Sequence, residues 1–330
     1  MKNFIVFLIF FCFIFLFQNN TLASIIIADN NPTSSTKYST IQEAYENASD
    51  GDIIYLLASQ IEYLRTNETL DIEKKITIFG NGFDLDKTQD QSNKCLLFNS
   101  RIYGKLIFHN GSDGSTIEGV GGNFSATIYA SNITMKSNKI SNIHIIPSIN
   151  ILLVNNYIYS IEMNDGNSST HRPFELFALN NIIENIFSKT RVGALIFSNN
   201  IVKGYISNSS NLVKLFFSNN IILKSNLNCN NCIFRNNLFS TKHENIDSST
   251  NIFHNPEDVF IDYENQNYYL KENSPAKGTG ENGTDMGIYG GFHPFVDTGL
   301  PNLPIIYSLD STIVTSHDLG LKVIIKAKSN

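Results

Sequence analysis

The stretch that decides the fold runs from Leu195 to Phe239 and repeats one eight-residue pattern three times: Leu195-Ile-Phe-Ser-Asn-Asn-Ile-Val202, Leu215-Phe-Phe-Ser-Asn-Asn-Ile-Ile222 and Cys232-Ile-Phe-Arg-Asn-Asn-Leu-Phe239. Further copies precede and follow it: Ile133-Thr-Met-Lys-Ser-Asn-Lys-Ile140, Ile151-Leu-Leu-Val-Asn-Asn-Tyr-Ile158, Leu176-Phe-Ala-Leu-Asn-Asn-Ile-Ile183 and the trailing Asn251-Ile-Phe-His-Asn-Pro256. Through Asn237, the second asparagine recurs every 17 to 25 residues. A period of this length is typical of stacked repeat architectures.

Each copy has the length of a β-strand. An apolar run of three or four residues bounded by Asn-Asn is too short for a helix, and paired asparagine favours a bend. Alternation along the strand places one set of side chains on an inward face: Leu153, Ala178, Phe197, Phe217, Phe234 and Phe253. One copy alone cannot bury this face, so the copies are expected to stack at about the 4.8 Å strand spacing.

The second asparagine of each pair has a structural explanation. In a stack these residues lie in register, and a column of amides can form hydrogen bonds along it, which satisfies groups that are costly to bury unpaired. The predicted ladder consists of Asn138, Asn156, Asn181, Asn200, Asn220 and Asn237.

The repeat resembles the coil of right-handed parallel β-helix proteins of the pectate-lyase-like superfamily, over about residues 35 to 292. The segment Ser39-Thr-Ile-Gln-Glu-Ala-Tyr-Glu-Asn-Ala-Ser-Asp-Gly-Asp-Ile-Ile-Tyr55 is similar to the family's opening. Ser39 and Gln42 have capping-box spacing, and Ile41, Ala44, Tyr45 and Ala48 form an apolar helix stripe. We therefore expect an all-β, single-stranded right-handed parallel β-helix with an N-terminal capping helix at about 40–48 and a C-terminal strand tail.

The expected organisation has four parts. Residues 1–23 form a signal peptide, because Met1-Lys2-Asn3 precedes an unbroken apolar run to Phe17 and Ala23 offers a cleavage site. Residues 24–58 form the N-terminal cap with the first strand, 59–292 the β-helix, and 293–330 a tail in which Leu321-Lys-Val-Ile-Ile-Lys326 alternates like a strand. The apolar run is too short for a membrane-spanning helix, although an uncleaved anchor is the alternative.

Composition excludes several classes of function. Of 330 residues, 42% are apolar and 16% charged, with a formal net charge of −6. Pervasive disorder is excluded because low hydrophobicity and high charge are missing. The acidic balance argues against a nucleic-acid partner, where a basic surface is expected. The protein is expected to be exported and to be secreted, periplasmic or attached to the cell surface.

The resemblance does not give a function, because this fold hosts several chemistries as well as none, and we therefore test the sequence for each of them. Galacturonan hydrolases of this fold use an Asp-Asp pair, Gly-His-Gly and Arg-x-Lys, and none of these occurs. Pectin esterases need two aspartates and an arginine on adjacent strands, whereas Asp165 and Asp247 are isolated in the repeat region. Lyases need a base and often calcium, without a compact local motif.

Two outward columns are the candidates for contact with a ligand. The variable position before Asn-Asn supplies the substrate-contact candidates Lys136, Ser198, Ser218, Arg235 and His254, of which arginine could neutralise an anionic sugar and histidine could take a proton. A solvated outer column is the alternative. A second, mostly apolar column lies two positions earlier in each copy and consists of Thr134, Leu152, Phe177, Ile196, Phe216, Ile233 and Ile252. We expect the excursion Met163 to Arg172 or the C-terminal tail to cover this column. The alternative is that the column binds a partner or a glycan.

Cysteines and aspartates give no strong cofactor signal. Cys229-Asn-Asn-Cys232 is a lone C-x-x-C with only His243 nearby, which favours buried thiols or one local disulfide over a metal or redox site. Asp84, Asp86 and Asp90 have partial calcium-loop character, but no glycine or distal glutamate completes the loop. We therefore expect no metal or cofactor, with calcium as the alternative.

The sequence favours an exported β-helix that binds polysaccharide or another surface without a recognisable catalytic cluster. The alternative is a polysaccharide lyase or glycoside hydrolase that acts on uronate-containing polymers with an atypical site.

Overall fold

The computed structural model describes the coils, the cap and most of the C-terminal segment, namely residues 23–32, 34–83, 99–165, 174–191, 193–210, 212–223, 227–301, 303, 305–311 and 323–328. Three predictions fall outside these residues: the signal peptide up to residue 22, the partial calcium loop at Asp84, Asp86 and Asp90, and the part of the excursion beyond Asp165.

The first large sheet has ten strands, all paired in parallel. Numbered in chain order, they are stacked as β1 (Ile25–Ala28), β2 (Ile53–Leu56), β4 (Thr77–Gly82), β6 (Thr116–Val120), β8 (Thr134–Lys136), β10 (Ile151–Val154), β12 (Phe174–Leu179), β14 (Gly193–Ser198), β17 (Leu215–Ser218) and β20 (Cys232–Arg235).

The second large sheet has twelve strands and is also parallel. Its main path contains β3 (Thr69–Ile72), β5 (Lys105–Phe108), β7 (Phe124–Ile128), β9 (Lys139–Ile145), β11 (Tyr157–Met163), β13 (Ile182–Ser188), β15 (Ile201–Val202), β18 (Ile221–Ile222), β21 (Leu238–Phe239) and β22 (Ile252–Phe253), and beside it lie β16 (Ile206–Asn208) and β19 (Leu227–Cys229). From β2 to β21 the chain passes from the first sheet to the second in each coil. This order confirms the predicted parallel β-helix.

The two asparagines of each pair have different tasks at the bend between the sheets. The first adopts a left-handed backbone conformation, with φ between 53° and 56° at Asn155, Asn180, Asn199, Asn219 and Asn236. Asparagine tolerates this region better than most residues. The chain therefore turns at the first asparagine and leaves the second free to join the ladder.

The second asparagines form the predicted ladder, and each rung is fully buried. At Asn200, the backbone N–H and Nδ2 both donate to Oδ1 of Asn220, at 2.8 and 3.0 Å, and Nδ2 also donates to the carbonyl of Ala178 at 2.9 Å. Oδ1 of Asn200 in turn accepts from the N–H and Nδ2 of Asn181 at 2.8 and 3.1 Å. The ladder has one further rung, Asn251, whose Oδ1 accepts from Asn237.

Stacked rings fill the interior at the late coils, as the inward face predicted. Phe217 lies between Phe197 and Phe234, with ring centroids 4.9 Å apart on each side. Phe253 departs from the predicted column, because β22 pairs with β21 and places Phe253 beside Phe239 in the second sheet. The cause is the extra rung: Asn251 occupies the ladder in the last coil, five residues before Pro256, the position that the aligned copy would place there.

The N-terminal cap contains helix α1 (Ile41–Glu46), with Ile41, Ala44 and Tyr45 buried as predicted. The capping box is one residue later than expected. Thr40 accepts from the N–H of Glu43, and the Glu43 carboxylate accepts from the N–H of Thr40. The spacing of Ser39 and Gln42 therefore predicted the motif but assigned it to the wrong pair.

The described coils end at Phe253, which is earlier than the predicted boundary at residue 292. Residues 256–301, here called the C-terminal strap, begin with helix α2 (Pro256–Val259) and the antiparallel hairpin of β23 (Phe260–Asp262) and β24 (Asn267–Leu270). The strap then includes a 3-10 turn (Glu281–Gly283) and is followed by the antiparallel pair β25 (Ile305–Ser311) and β26 (Val323–Lys328).

The C-terminal strap runs back along the bends, from late coils to early ones. Asn219 Oδ1 accepts from the N–H of Glu281, and Nδ2 of Asn199, Asn180 and Asn155 donates to strap carbonyls at progressively later positions, up to Pro294. Beneath the strap lies a second buried cluster formed by outward residues of the second sheet and by the strap: Ile182, Ile201, Ile221, Leu238, Phe260, Met286, Ile288 and Phe295.

Candidate binding surface on the first sheet

Strand register brings most of the candidate column together. Arg235 pairs with Ser218, Ser218 with Ser198, and the column continues through Leu179 and Val154 to Lys136. Neighbouring residues are one strand spacing apart, about 4.8 Å. The side chains of Ser198, Ser218 and Lys136 are half-buried and that of Arg235 is exposed, whereas Val154 is buried although it lies in the same column.

His254 does not belong to this column. It follows β22 at the end of the second sheet, and its N–H donates to the carbonyl of Phe239. The prediction aligned Asn255 with the first asparagine of the earlier copies and Pro256 with the second, but Asn251 has the role of the second asparagine. Ser218 and Arg235 are therefore neighbours, while His254 lies across the bend.

The polar members of the column contact each other and their neighbours. Ser218 Oγ donates to Ser198 Oγ at 3.1 Å, and Ser198 Oγ donates to Asn199 Oδ1 at 3.3 Å. At the other end of the column, Lys136 Nζ lies 2.7 Å from Glu118 Oε1, and this ion pair is largely shielded from solvent. Lys136 is thus neutralised within the fold, which leaves Arg235 as the cation of the column that is exposed.

The apolar column forms an outer strip beside the polar one. We define the outer strip as Leu152, Phe177, Ile196, Phe216 and Ile233, which register pairs in sequence across five strands. Four strand spacings make it about 19 Å long. Phe216 is 39% exposed and the other members are half-buried. Thr134 extends the column at the early end, whereas Ile252 pairs with Leu238 in the second sheet and is not a member.

The C-terminal strap packs against a different row from the one that was expected to be covered. It buries the residues that follow the ladder asparagines, such as Ile182, Ile201 and Ile221, on the second sheet. Within the described part of the chain, the outer strip therefore keeps a partly exposed surface.

The second sheet presents two histidine–carboxylate pairs that the sequence analysis did not single out. His109 Nε2 lies 2.7 Å from Asp71 Oδ1, and the ring of His109 stacks on that of Tyr129 with centroids 5.9 Å apart. His144 Nδ1 lies 3.2 Å from Glu162 Oε2. These partners are 18 to 38 residues apart in sequence. The signal that could have found them is the coil period, which places residues one coil apart on neighbouring strands.

Cys229 and Cys232 form a disulfide, one of the two favoured outcomes for the C-x-x-C segment. His243 lies against the ring of Phe239, with centroids 6.1 Å apart. In the residues that the structure describes, no group of three or more His, Cys, Asp and Glu side chains is arranged to hold a metal ion. Over the same residues, no helix is both long enough and apolar enough to span a membrane.

Comparison with known proteins assigns the chain to no family. No family model matches the chain, and no curated protein matches it. Among solved structures, the crystal structure of pectate lyase Pel9A aligns with 83% of this chain and 97% of its own, at 12% sequence identity and a TM-score of 0.36. The parallel β-helix rests on the strand pairing described above, and nothing about activity follows from this match.

Proposed function

We propose that the protein is exported and binds an extended polysaccharide chain along the outer face of the first sheet. The observation that carries this proposal is the pair of parallel columns at the regular spacing of the coils, one apolar throughout and the other with hydroxyls at Ser198 and Ser218. A partly exposed apolar strip of this length is unusual on a surface without a partner.

The chemistry of a sugar polymer matches both columns. A pyranose ring has an apolar face of C–H groups and a rim of hydroxyls, so its face can pack on Phe177 and Phe216 while its hydroxyls exchange hydrogen bonds with Ser198 and Ser218. Arg235, at the late end, can form a charge-assisted hydrogen bond with an acidic substituent. A linear ligand that lies along the stack would contact every coil.

Export is supported by sequence and by cysteine chemistry. The first 23 residues have the charge, the apolar run and the small exit residue of a signal peptide. The Cys229–Cys232 disulfide is in keeping with an oxidising compartment outside the cytosol.

Glycan-array screening followed by affinity electrophoresis tests the binding surface. The Phe177→Thr/Phe216→Thr variant places β-branched residues, which also favour strands, at both positions and removes both rings, and we expect it to lose about tenfold or more in affinity for the glycan that the wild type binds. Tyr159→Thr/Tyr205→Thr removes two exposed rings elsewhere and is the matched control. Absence of binding to any polysaccharide, or equal losses in both variants, would contradict the proposal.

The histidine–carboxylate pairs favour catalysis on a uronate polymer as the second candidate function. A histidine oriented by a carboxylate can act as a general base. The test incubates the protein with uronate polymers and follows the absorbance of new unsaturated ends. A signal in the wild type that is lost in His109→Gln or His144→Gln supports a lyase, whereas no signal leaves binding as the function.

A further inference from the structure

A pocket separate from the proposed polysaccharide surface lies between the C-terminal strap and the second sheet. Its volume is about 360 Å³, within the range of small-molecule sites. Tyr268, Phe295 and Ile182 line it and are buried, and Phe83 and Tyr157 add half-buried rings. We call this the strap pocket. Its walls combine these rings with the polar side chains of Lys139, Gln266 and Asp297, so they suit a ligand that has both an apolar body and charged groups.

Two lysines flank the Tyr157 ring at the strap pocket. The Nζ atoms of Lys139 and Lys203 lie 5.9 and 5.8 Å from the ring centroid, within cation–π distance. The Tyr157 hydroxyl donates to Gln266 Oε1 at 3.3 Å and accepts from Lys203 Nζ at 3.4 Å. These contacts hold the ring and both cations in one place.

The two lysines differ in their partners. Lys203 Nζ lies 3.1 Å from Glu184 Oε2, so its charge is matched. Burial lowers the pKa of Lys203, but Tyr268, Tyr157 and Glu184 together raise that pKa above its usual value, so the ion pair persists. Lys139 has no carboxylate partner in the part of the chain that the structure describes, although it lines the pocket. A cation in that position is available to an anionic ligand group.

Asp297 supplies the opposite charge. Its two carboxylate oxygens accept from the hydroxyls of Tyr289 and Tyr269, each at 2.7 Å, and the two tyrosine rings stack with centroids 4.2 Å apart. Burial, together with Asp297, raises the pKa of both phenols, so they remain protonated donors. A carboxylate has about four acceptor positions, which leaves room for a further donor from the pocket.

We propose that the strap pocket binds a small zwitterion with an apolar or aromatic body, of the amino-acid class. Its carboxylate pairs with Lys139, its ammonium group donates to Asp297, and its side chain packs among Phe83, Phe295 and Tyr268. A ligand with only one of the two charges would match only one of the two charged side chains that line the pocket.

The protein contains no tryptophan, which makes L-tryptophan a direct probe. Its fluorescence can be excited where tyrosine does not absorb, so a spectral shift on addition of the full chain reports binding. Indole-3-propionate, which has only the carboxylate, and tryptamine, which has only the ammonium group, are the comparison ligands.

Lys139→Met removes the charge and keeps an unbranched side chain, and Lys139→Gln is a second variant without the charge. Lys189→Met makes the same change at an exposed position and is the matched control. We expect wild type and control to bind L-tryptophan more tightly than either comparison ligand. Both Lys139 variants should bind L-tryptophan and indole-3-propionate about tenfold or more weakly, with tryptamine unaffected. The proposal is overturned if no ligand binds the wild type, if the Lys139 variants bind L-tryptophan as the wild type does, or if they lose tryptamine equally.

Discussion

Replacement of one interior rung of the ladder provides the sharpest test of how this chain is held together. Asn200→Leu changes an amide to an apolar group of similar length in a fully buried position. It removes the acceptor of the Asn181 N–H, which lies 2.8 Å away, and the Nδ2 donor to the Ala178 carbonyl and to Asn220. The backbone N–H of Asn200 keeps its bond to Asn220.

The expected loss follows from these contacts. A buried N–H without an acceptor costs about 1–3 kcal/mol, and each of the two lost side-chain donations costs about 0.5–1.5 kcal/mol. The free energy of unfolding should therefore fall by about 2–6 kcal/mol. The Nδ2 of Asn181 retains the carbonyls of Leu153 and Leu179, so it adds no further penalty.

Urea unfolding followed by circular dichroism measures this loss. The control is Asn273→Leu, at an exposed turn position where the same change should cost about 0.5 kcal/mol or less. A loss at Asn200 no larger than that of the control would refute the reasoning, because it would mean that the column of amides does not satisfy buried groups.

Two further predictions concern the interior and the strap. Phe217→Ala removes the middle ring between Phe197 and Phe234 and should lower the free energy of unfolding by about 3–5 kcal/mol in urea titration; a change below about 1 kcal/mol would place Phe217 on the surface. Asn180→Gly keeps the left-handed conformation but removes two donations to the strap, so the Phe295 amide should exchange hydrogen with about 1–3 kcal/mol less protection. Unchanged protection would show that the side chain of Asn180 does not hold the strap.

The ladder and the inward face could be predicted because both are determined by residues close together within each copy of the repeat. In each copy, the spacing between apolar residues and Asn-Asn sets both the strand and the bend. The different task of the first asparagine is less visible, since a left-handed backbone at Asn199 and a buried amide at Asn200 are encoded by the same residue type.

The parts that sequence reasoning missed depend on contacts between distant residues. In the last coil, 14 residues separate the rungs Asn237 and Asn251, whereas at least 17 separate the earlier rungs. Asn251 alone therefore takes the place of an Asn-Asn pair, and His254, which follows it, lies outside the Arg235 column. The strap lies 62 to 139 residues from the asparagines that it contacts. The partner of an outward residue such as Ile201 is set by the path of the returning chain, which no local pattern encodes.

The contacts between the strap and the first asparagine of each Asn-Asn pair link the length of the strap to the length of the stack of coils. The strap advances from Glu281 to Pro294 while the coils recede from Asn219 to Asn155, about one contact for each coil. An additional coil inserted between these residues would lengthen the stack by about 4.8 Å, and the strap would need one or two more extended residues to regain its partners. Duplication of a repeat in this region therefore requires a matching insertion in the returning segment. The same requirement extends to the coils between Phe83 and Asn138, because the Thr298 carbonyl of the strap accepts from the N–H of Phe83.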